Sequence, residues 1–142
     1  MDKYDALKLE NQICFPLYAC SKEVVKRYTP LLDEINLTYT QYITMMVLWE
    51  YKEVNVKELG KHLFLDSGTL TPVLKKLEQK GYVSRKRDTK DERVLNVAVT
   101  EQGMELRESA VDIPAKVSAG VQMTREEAVQ LHGLLRKLLK EF

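Results

Sequence analysis

The chain has 142 residues, of which 44% are hydrophobic and 30% charged, so it is long enough for one compact domain and short for two. Its first residues, MDKYDALKLENQ, form no apolar signal core, and no later run of about 18 uncharged apolar residues could span a bilayer. We therefore expect a cytoplasmic protein with no membrane partner. Two cysteines and two separated histidines suggest neither a disulfide framework nor a metal site, and we expect no metal and no cofactor.

The net charge of +1 hides an uneven distribution along the chain. Residues 57–95 carry ten basic and six acidic side chains, or +4, whereas the rest carries 12 basic and 15 acidic ones, or −3. A basic segment on an otherwise acidic scaffold is typical of proteins that bind nucleic-acid phosphates. A solvated charged surface has the same composition, so this count needs the support of other features.

Apolar residues at helical spacing predict a first helix over about residues 8–28, which ends before Pro30 because a residue preceding proline disfavours helix. A short helix is expected over 30–35. A Thr-x-x-Gln capping box at Thr38 then opens a helix through about residue 51, and its nearly continuous apolar sequence YITMMVLW indicates a central place in the core.

The next helices also begin at polar caps. Asn55 opens a helix that ends near Phe64, and Asp66 or Ser67 opens a longer one that stops at Gly81. The pattern then changes to YVSRKRD and RVLNVAVT, joined by a charged TKDE, which predicts a β-hairpin.

Two further helices are expected after the hairpin. Thr100 caps one over about residues 101–110, and Thr124 caps the last. Pro114 and Gly120 are expected to loosen the connection between them.

Two short helices followed by a basic hairpin predict a winged helix-turn-helix, because the major groove of B-DNA admits one helix and a hairpin tip can reach the neighbouring minor groove. The helix over 67–80 would read the DNA, and Asp91 would orient Arg93 for the narrow minor groove. Taken separately, the helix could be an ordinary capped helix and the hairpin tip a solvated charged turn. The succession of the two along the chain favours DNA binding. The candidate contacts are Ser67, Thr69, Thr71 and Lys75 of the helix and Arg85, Lys86, Arg87, Lys90, Asp91 and Arg93 of the hairpin.

The hairpin sequence DERVLNVAVT, from Asp91 to Thr100, resembles the wing of the MarR family of bacterial transcription regulators. The motifs LKLENQICF, LTYTQY and LDSGTLTP are similar to those of its OhrR-like subgroup, which senses organic hydroperoxides. The resemblance implies a mainly α (α+β) fold over residues 1–142, with a DNA-binding region at about 38–100. It also implies a triangular homodimer, built by amino- and carboxy-terminal dimerisation helices at about 5–35 and 101–142, on a pseudo-palindromic operator of double-stranded DNA.

The same resemblance implies that Cys14 is the redox-sensing residue, with Tyr28, Tyr39 and Tyr18 near its sulfur. A peroxide is attacked by a thiolate, which a helix amino terminus, a cation or hydrogen-bond donors stabilise. In one continuous helix Tyr28 lies about 21 Å from Cys14 along the axis, so their contact must cross the dimer interface. Pro16 either kinks this helix or moves its start close to Cys14.

Cys20 lies about 10 Å from Cys14 in a continuous helix, too far for a disulfide. No cysteine occurs in the carboxy-terminal half. We therefore expect Cys20 to pack and a low-molecular-weight thiol to resolve oxidised Cys14.

The predicted function is that of a repressor released from DNA by organic hydroperoxide, with no catalytic residues. Three alternatives stay open. A MarR-type regulator could respond to a small ligand or act as a global stress or virulence regulator. A thiol peroxidase would need a resolving cysteine and an activating Arg or Thr, and a dimerisation adaptor would not use the basic wing.

Overall fold

Seven α-helices and a small antiparallel sheet make up the computed structural model, which describes residues 1–142. Two 3₁₀ turns, Lys3–Leu7 and Leu9–Asn11, precede the first helix. In chain order the elements are α1 (Cys14–Asp33), α2 (Tyr39–Tyr51), β1 (Glu53–Asn55), α3 (Val56–Leu63), α4 (Ser67–Gln79), β2 (Val83–Arg87), β3 (Leu95–Val99), α5 (Glu101–Ala110), α6 (Ile113–Ser118) and α7 (Arg125–Leu139). This order confirms the mainly α, α+β class, with a winged helix-turn-helix formed by α3, α4 and the β2–β3 hairpin. None of the helices has both the length and the apolar composition that a membrane span requires.

Side-chain caps open five helices where the sequence predicted them. In each case the oxygen accepts a hydrogen bond from the backbone N–H three residues later, which satisfies one of the free amides of the first turn. The capping residues are Thr38, Asn55, Asp66, Thr100 and Thr124.

Helix α1 differs from its prediction at both ends. It starts at Cys14 because the Gln12 side chain donates to the carbonyls of Ala6 and Lys8, which holds the preceding residues in 3₁₀ turns. It continues through Pro30 to Asp33, so the predictions of a helix end before Pro30 and of a separate helix over 30–35 were wrong. Pro30 removes only the bond to the Lys26 carbonyl, on an exposed side of the helix that water reaches, while Leu32 is buried on the other side.

The connection between α5 and α7 also differs from its prediction. Rather than a loosened segment, it contains α6, in which Pro114 occupies the start of the helix and Ile113 is buried. Proline is tolerated in a first turn because the amide that it lacks would have no helical partner.

The sheet has the order β1–β3–β2, with both pairs antiparallel. In β3, Val97 is opposite Val54 of β1, and Val99 is opposite Val83 of β2. Strand β1 was not predicted, since three residues carry no periodic signal. It joins the root of the wing to the start of α3.

All buried residues lie between Leu32 and Ile113. We call residues 32–113 the central lobe, and residues 1–31 and 114–142 the terminal segments. The core of the lobe combines Met45 and Leu48 of α2 with Leu59 of α3, and α4 and the sheet complete it with Leu70, Leu74, Leu77, Val83 and Val97. The core therefore packs the reader helix and the wing together in the central lobe.

Candidate DNA-binding surface and redox site

Helix α4, the reader helix, has one buried and one free side. Leu70, Leu74 and Leu77 are buried in the core. The candidate residues Ser67, Thr71 and Lys75 are exposed and follow one another at four-residue steps, so they share a face. Thr69 is also exposed, and its backbone N–H donates to Asp66 Oδ1 at 2.7 Å, a bond that holds the pKa of Asp66 below its ordinary value.

The wing consists of β2, β3 and the turn 88–94 between them. At its tip Asp91 accepts two hydrogen bonds from the Arg93 guanidinium, at 3.0 and 3.1 Å, and one from the Arg93 backbone N–H. These bonds lower the pKa of Asp91 and raise that of Arg93. The Arg93 side chain is 91% exposed, so Asp91 orients a guanidinium that stays free for a ligand.

Arg85 differs from the other candidate residues of the wing. Its guanidinium donates to Glu78 Oε1 of α4 at 2.9 Å and is only 23% exposed. This bond lowers the pKa of Glu78 and ties the wing to the reader helix. Lys86, Arg87 and Lys90 are exposed.

A cleft of about 1080 Å³ separates the reader helix from the wing. Its lining includes Ser67 and Thr71 on one side and Arg87 and Arg93 on the other. Lys57 and Lys61 of α3 line it as well. Sequence reasoning counted these two lysines in the basic segment but did not single them out, although their four-residue spacing on a helix places them on one face.

Cys14 is the first residue of α1 and is exposed. Pro16 is the third residue of the helix, so of the two effects considered for it, the helix start at Cys14 is the one observed. The backbone amides of this first turn have no helical partners. No side-chain hydrogen bond within the chain involves Cys14, and no three His, Cys, Asp or Glu side chains converge in a way that would hold a metal ion.

The candidate tyrosines Tyr28 and Tyr39 pack against each other edge to face, with ring centroids 5.1 Å apart. Tyr42 lies beside both, at 5.7 and 6.2 Å, and Trp49 follows at 6.5 Å. Burial raises the pKa of Tyr39, and burial with the two neighbouring phenols raises that of Tyr42 to about 12. Tyr39 and Tyr42 therefore keep their protons at neutral pH. Sequence reasoning missed Tyr42, although it stands in the LTYTQY motif.

The structure thus brings Tyr28 and Tyr39 together but does not bring Cys14 to them within one chain. Cys14 and Tyr28 belong to the same uninterrupted helix, 14 residues or about 21 Å apart along its axis. Tyr18 is exposed, with the Lys22 ammonium 5.0 Å from its ring centroid. The prediction that Cys20 packs was wrong for the single chain, since Cys20 is exposed beside a groove between α1 and α6.

Comparison with known proteins agrees with this architecture. A family profile described as transcriptional regulator SarA/Rot matches residues 26–109. The organic hydroperoxide resistance transcriptional regulator of Bacillus subtilis is 48% identical over 139 residues, which cover 98% of this chain and 95% of the relative.

Two solved structures of AbfR from Staphylococcus epidermidis resemble the chain over nearly its full length. Reduced AbfR bound to DNA has a TM-score of 0.84 at 31% identity, covering 99% of this chain and 96% of AbfR. Disulfide-formed AbfR has a TM-score of 0.68 at 32% identity, covering 96% of each chain. The chain therefore belongs to the SarA/Rot family of transcriptional regulators, and the resemblance of its wing and motifs to MarR-type, OhrR-like regulators is confirmed.

Proposed function

We propose that this protein is a cytoplasmic, homodimeric repressor that organic hydroperoxide releases from a pseudo-palindromic operator by oxidising Cys14. The observation that carries the proposal is an exposed cysteine in the first turn of α1, without a partner in its own chain, together with the Tyr28–Tyr39 pair about 21 Å away. A second subunit can bring its own Tyr28–Tyr39 pair to the Cys14 of the first. The hydroperoxide regulator of B. subtilis, at 48% identity, supports the choice of oxidant.

One side of α1 suits pairing with a second copy of itself. Cys14, Leu17, Ser21, Val24 and Tyr28 recur at steps of three and four residues, which is the spacing of a helix-pairing seam. Leu17 and Val24 are exposed in the single chain. If the two-fold axis is perpendicular to the helices, the two copies run antiparallel, so that Cys14 approaches Tyr28 of the partner subunit at both ends and Ser21, midway between them, lies close to the axis.

Helix α7 provides a second apolar surface for the dimer. Leu131, Leu134 and Leu138 are exposed at three- and four-residue steps, which places them on one face, and the helix has no buried residue. Monomeric proteins rarely expose so continuous an apolar surface. The dimer that covers it would carry two reader helices, one for each of two successive major grooves.

The chemistry requires only a thiolate, a peroxide and a thiol. The Cys14 thiolate attacks the distal oxygen of the hydroperoxide, the O–O bond breaks, and protonation of the leaving alkoxide gives an alcohol and a sulfenic acid on Cys14. A low-molecular-weight thiol then condenses with the sulfenic acid, forming a mixed disulfide and water. Tyr39, which keeps its proton, is a suitable hydrogen-bond donor to the thiolate of the partner subunit.

The release of DNA would begin at the interface. A mixed disulfide on Cys14 is much bulkier than a thiolate and does not fit where the sulfur contacted the partner's tyrosines. The subunits would repack, and the spacing of the two reader helices would change.

Fluorescence anisotropy on duplex DNA from upstream of the protein's own coding sequence tests the proposal. Binding is measured before and after cumene hydroperoxide with free cysteine as the thiol, in the parent, Cys14→Ser and the matched control Cys20→Ser. We expect affinity to fall at least about tenfold in the parent and in Cys20→Ser and to stay unchanged in Cys14→Ser. Release of Cys14→Ser to the same extent, or a reduced parent that does not bind, would overturn the proposal. Peroxide consumption well beyond one equivalent per Cys14 would favour the thiol peroxidase.

The arrangement of α1 has its own test. In chains that lack Cys14 and Cys20, Ser21→Cys is expected to form a disulfide-linked dimer on mild oxidation. Glu23→Cys, on the opposite side of the helix, is expected to stay monomeric on a non-reducing gel. Equal cross-linking at both positions would contradict the antiparallel pairing.

A groove of about 190 Å³ supports a second candidate, a regulator that responds to a small ligand. It lies between α2, α5 and α6, and apolar side chains such as Trp49 and Val111 line it together with the single cation Arg107. An aromatic carboxylate matches this combination. Release of Cys14→Ser from DNA by such a compound, without peroxide, would favour this candidate.

A further inference from the structure

The side chain of Lys80 joins the ends of three helices. Lys80 caps the carboxyl end of α4, and its Nζ donates to the backbone carbonyl of Asn36 and to Gln41 Oε1, the latter at 2.9 Å. Asn36 is in the turn that follows α1, with a φ of 55°. Gln41 belongs to the first turn of α2. One ammonium group thus connects the end of the reader helix to the end of α1 and the start of α2.

We call the contacts of Lys80 with Asn36 and Gln41 the Lys80 joint, and this joint is partly buried. Gln41 is only 6% exposed, and its Oε1 also accepts a hydrogen bond from the Thr38 backbone N–H at 3.1 Å. Burial, with the nearby charge of Lys76, lowers the pKa of Lys80. Both acceptors are neutral oxygens, so hydrogen-bond geometry rather than charge pairing fixes the ammonium.

No other polar side-chain contact leads from α4 to α1 or α2. The hydrogen bonds of Thr69 and Thr71 stay within the helix or its cap, and Glu78 binds Arg85 of the wing. The apolar core holds α4 in the lobe in any case. Lys80 adds a polar link through which a movement of the α1–α2 turn would reach the end of the reader helix.

The contacts of Lys80 adjoin the Tyr28–Tyr39 pair. Tyr39 is the residue between Thr38, the cap of α2, and the rest of its first turn, and its ring packs on Tyr28. A displacement of Tyr39 therefore moves the turn that contains Gln41. The contacts run without a gap from Tyr28 through Tyr39 and the Thr38–Gln41 capping box to Lys80.

We infer that Lys80 is a positioning residue that couples the Tyr28–Tyr39 pair to the reader helix, so that oxidation at the partner's Cys14 re-aims α4. The inference rests on the proposed function, since it names the mechanical link of the same switch. Coupling requires an element that both sites bias. The first turn of α2 is that element, because it carries both Tyr39, which packs on Tyr28, and Gln41, which accepts the hydrogen bond of Lys80.

The test compares the ratio of oxidised to reduced dissociation constants for DNA in the full-length dimer, by fluorescence anisotropy with cumene hydroperoxide and free cysteine. Lys80→Met removes the donors and keeps much of the side-chain length. Lys76→Met, one turn earlier on α4, is the matched control, since Lys76 is exposed and makes no side-chain hydrogen bond. We expect a ratio of at least about ten in the parent and in Lys76→Met, and below about three in Lys80→Met. Lys80→Arg, which retains donors for both acceptors, is expected to restore the parent ratio.

The outcomes separate the inference from the proposed function. A parent ratio near one refutes the proposed function. A parent ratio of about ten with the same ratio in Lys80→Met overturns the coupling alone, even if Lys80→Met binds DNA more weakly in both states, because a purely structural role leaves the ratio unchanged. If circular dichroism finds Lys80→Met unfolded, Gln41→Met decides. It removes the α2 acceptor while Lys80 keeps Asn36, and a parent-like ratio there overturns the inference.

Discussion

The central lobe and the terminal segments differ in whether their large apolar side chains are buried within the chain. The lobe contains all 16 buried residues of the chain, whereas the terminal segments contain 16 of the 20 large apolar residues that remain exposed. Both parts have well-capped helices, so local helix signals do not explain the difference. The lobe completes its core within one chain, and the terminal segments expose apolar surfaces that a second copy would cover in the proposed dimer.

This difference has a thermodynamic consequence. Interactions inside the lobe should stabilise each chain regardless of its concentration. Interactions of the terminal segments should depend on the amount of partner, because association contributes to stability by mass action. Substitutions in the two regions therefore provide a direct comparison.

The largest effect is expected in the lobe. Leu74 of the reader helix is 1% exposed, and Leu74→Ala should lower the free energy of unfolding by about 2–5 kcal/mol, because it removes buried methyl groups and leaves a cavity. Urea unfolding monitored by circular dichroism measures this loss relative to the parent. The loss should be the same at low and high protein concentration. A loss that changes with concentration would mean that α4 takes part in the dimer.

Leu134→Ala in α7 should have a smaller effect of a different kind. Leu134 is exposed in the single chain, so its truncation costs little stability there. If the dimer buries this side chain, losing it should weaken association by up to about 3 kcal/mol. Analytical ultracentrifugation measures the dimer dissociation constant. Arg136→Ala, on the opposite side of α7, is the control and should leave it unchanged. Equal constants for Leu134→Ala and the parent would remove α7 from the interface.

Features set by neighbouring residues could be read from the sequence. The capping oxygens of Thr38 and Asp66 act over three residues, and the wing follows from alternation and a charged turn. Asp91 and Arg93 are two residues apart, and their ion pair also formed as expected. Within the lobe, local rules and the final packing agree.

Features set by distant contacts could not be read in the same way. The path of α1 through Pro30 depends on which side of the helix the core covers, and α6 on the burial of Ile113. The Lys80 joint connects residues that are 44 and 39 positions apart. For Cys14 a motif names the residue, but under the proposed function its surroundings would come from a second subunit, which one chain's sequence does not place.

Arg93→Ala tests whether the wing of the central lobe contributes to DNA binding. The Arg93 guanidinium is oriented by Asp91 and otherwise free, so its loss should weaken DNA binding about tenfold, or about 1.4 kcal/mol, with little change in stability. Lys22→Ala removes the same charge from a terminal segment and should leave the affinity unchanged. Anisotropy titrations at a fixed salt concentration measure both. Equal losses would mean that net charge, rather than the wing, determines binding.

The smallest effect is expected at the turn of the wing, where Asp88 accepts hydrogen bonds from the Asn96 side chain and from the backbone N–H groups of Lys90 and Asp91. The Asn96 bond, followed by the two backbone bonds, holds the pKa of Asp88 below its ordinary value of 3.8. Since the folded pKa is the lower one, the carboxylate stabilises the turn above pH 3.8 and the contribution is lost as pH falls further.

Amide hydrogen exchange at Lys90 and Asp91 measures this turn. Exchange corrected for the intrinsic rate should accelerate at acid pH in the parent, and Asp88→Asn should exchange faster already at neutral pH, because one amide oxygen cannot accept all three bonds. Amides of the buried strand residue Val97 serve as the control, since Asp88 does not bind them. Equal protection of Lys90 and Asp91 in Asp88→Asn and the parent would mean that the strands alone hold the turn. Even in the central lobe, then, the turn proposed to contact DNA is held by polar bonds at and near the surface rather than by the core, so a single change of charge there should alter its local stability before that of the core.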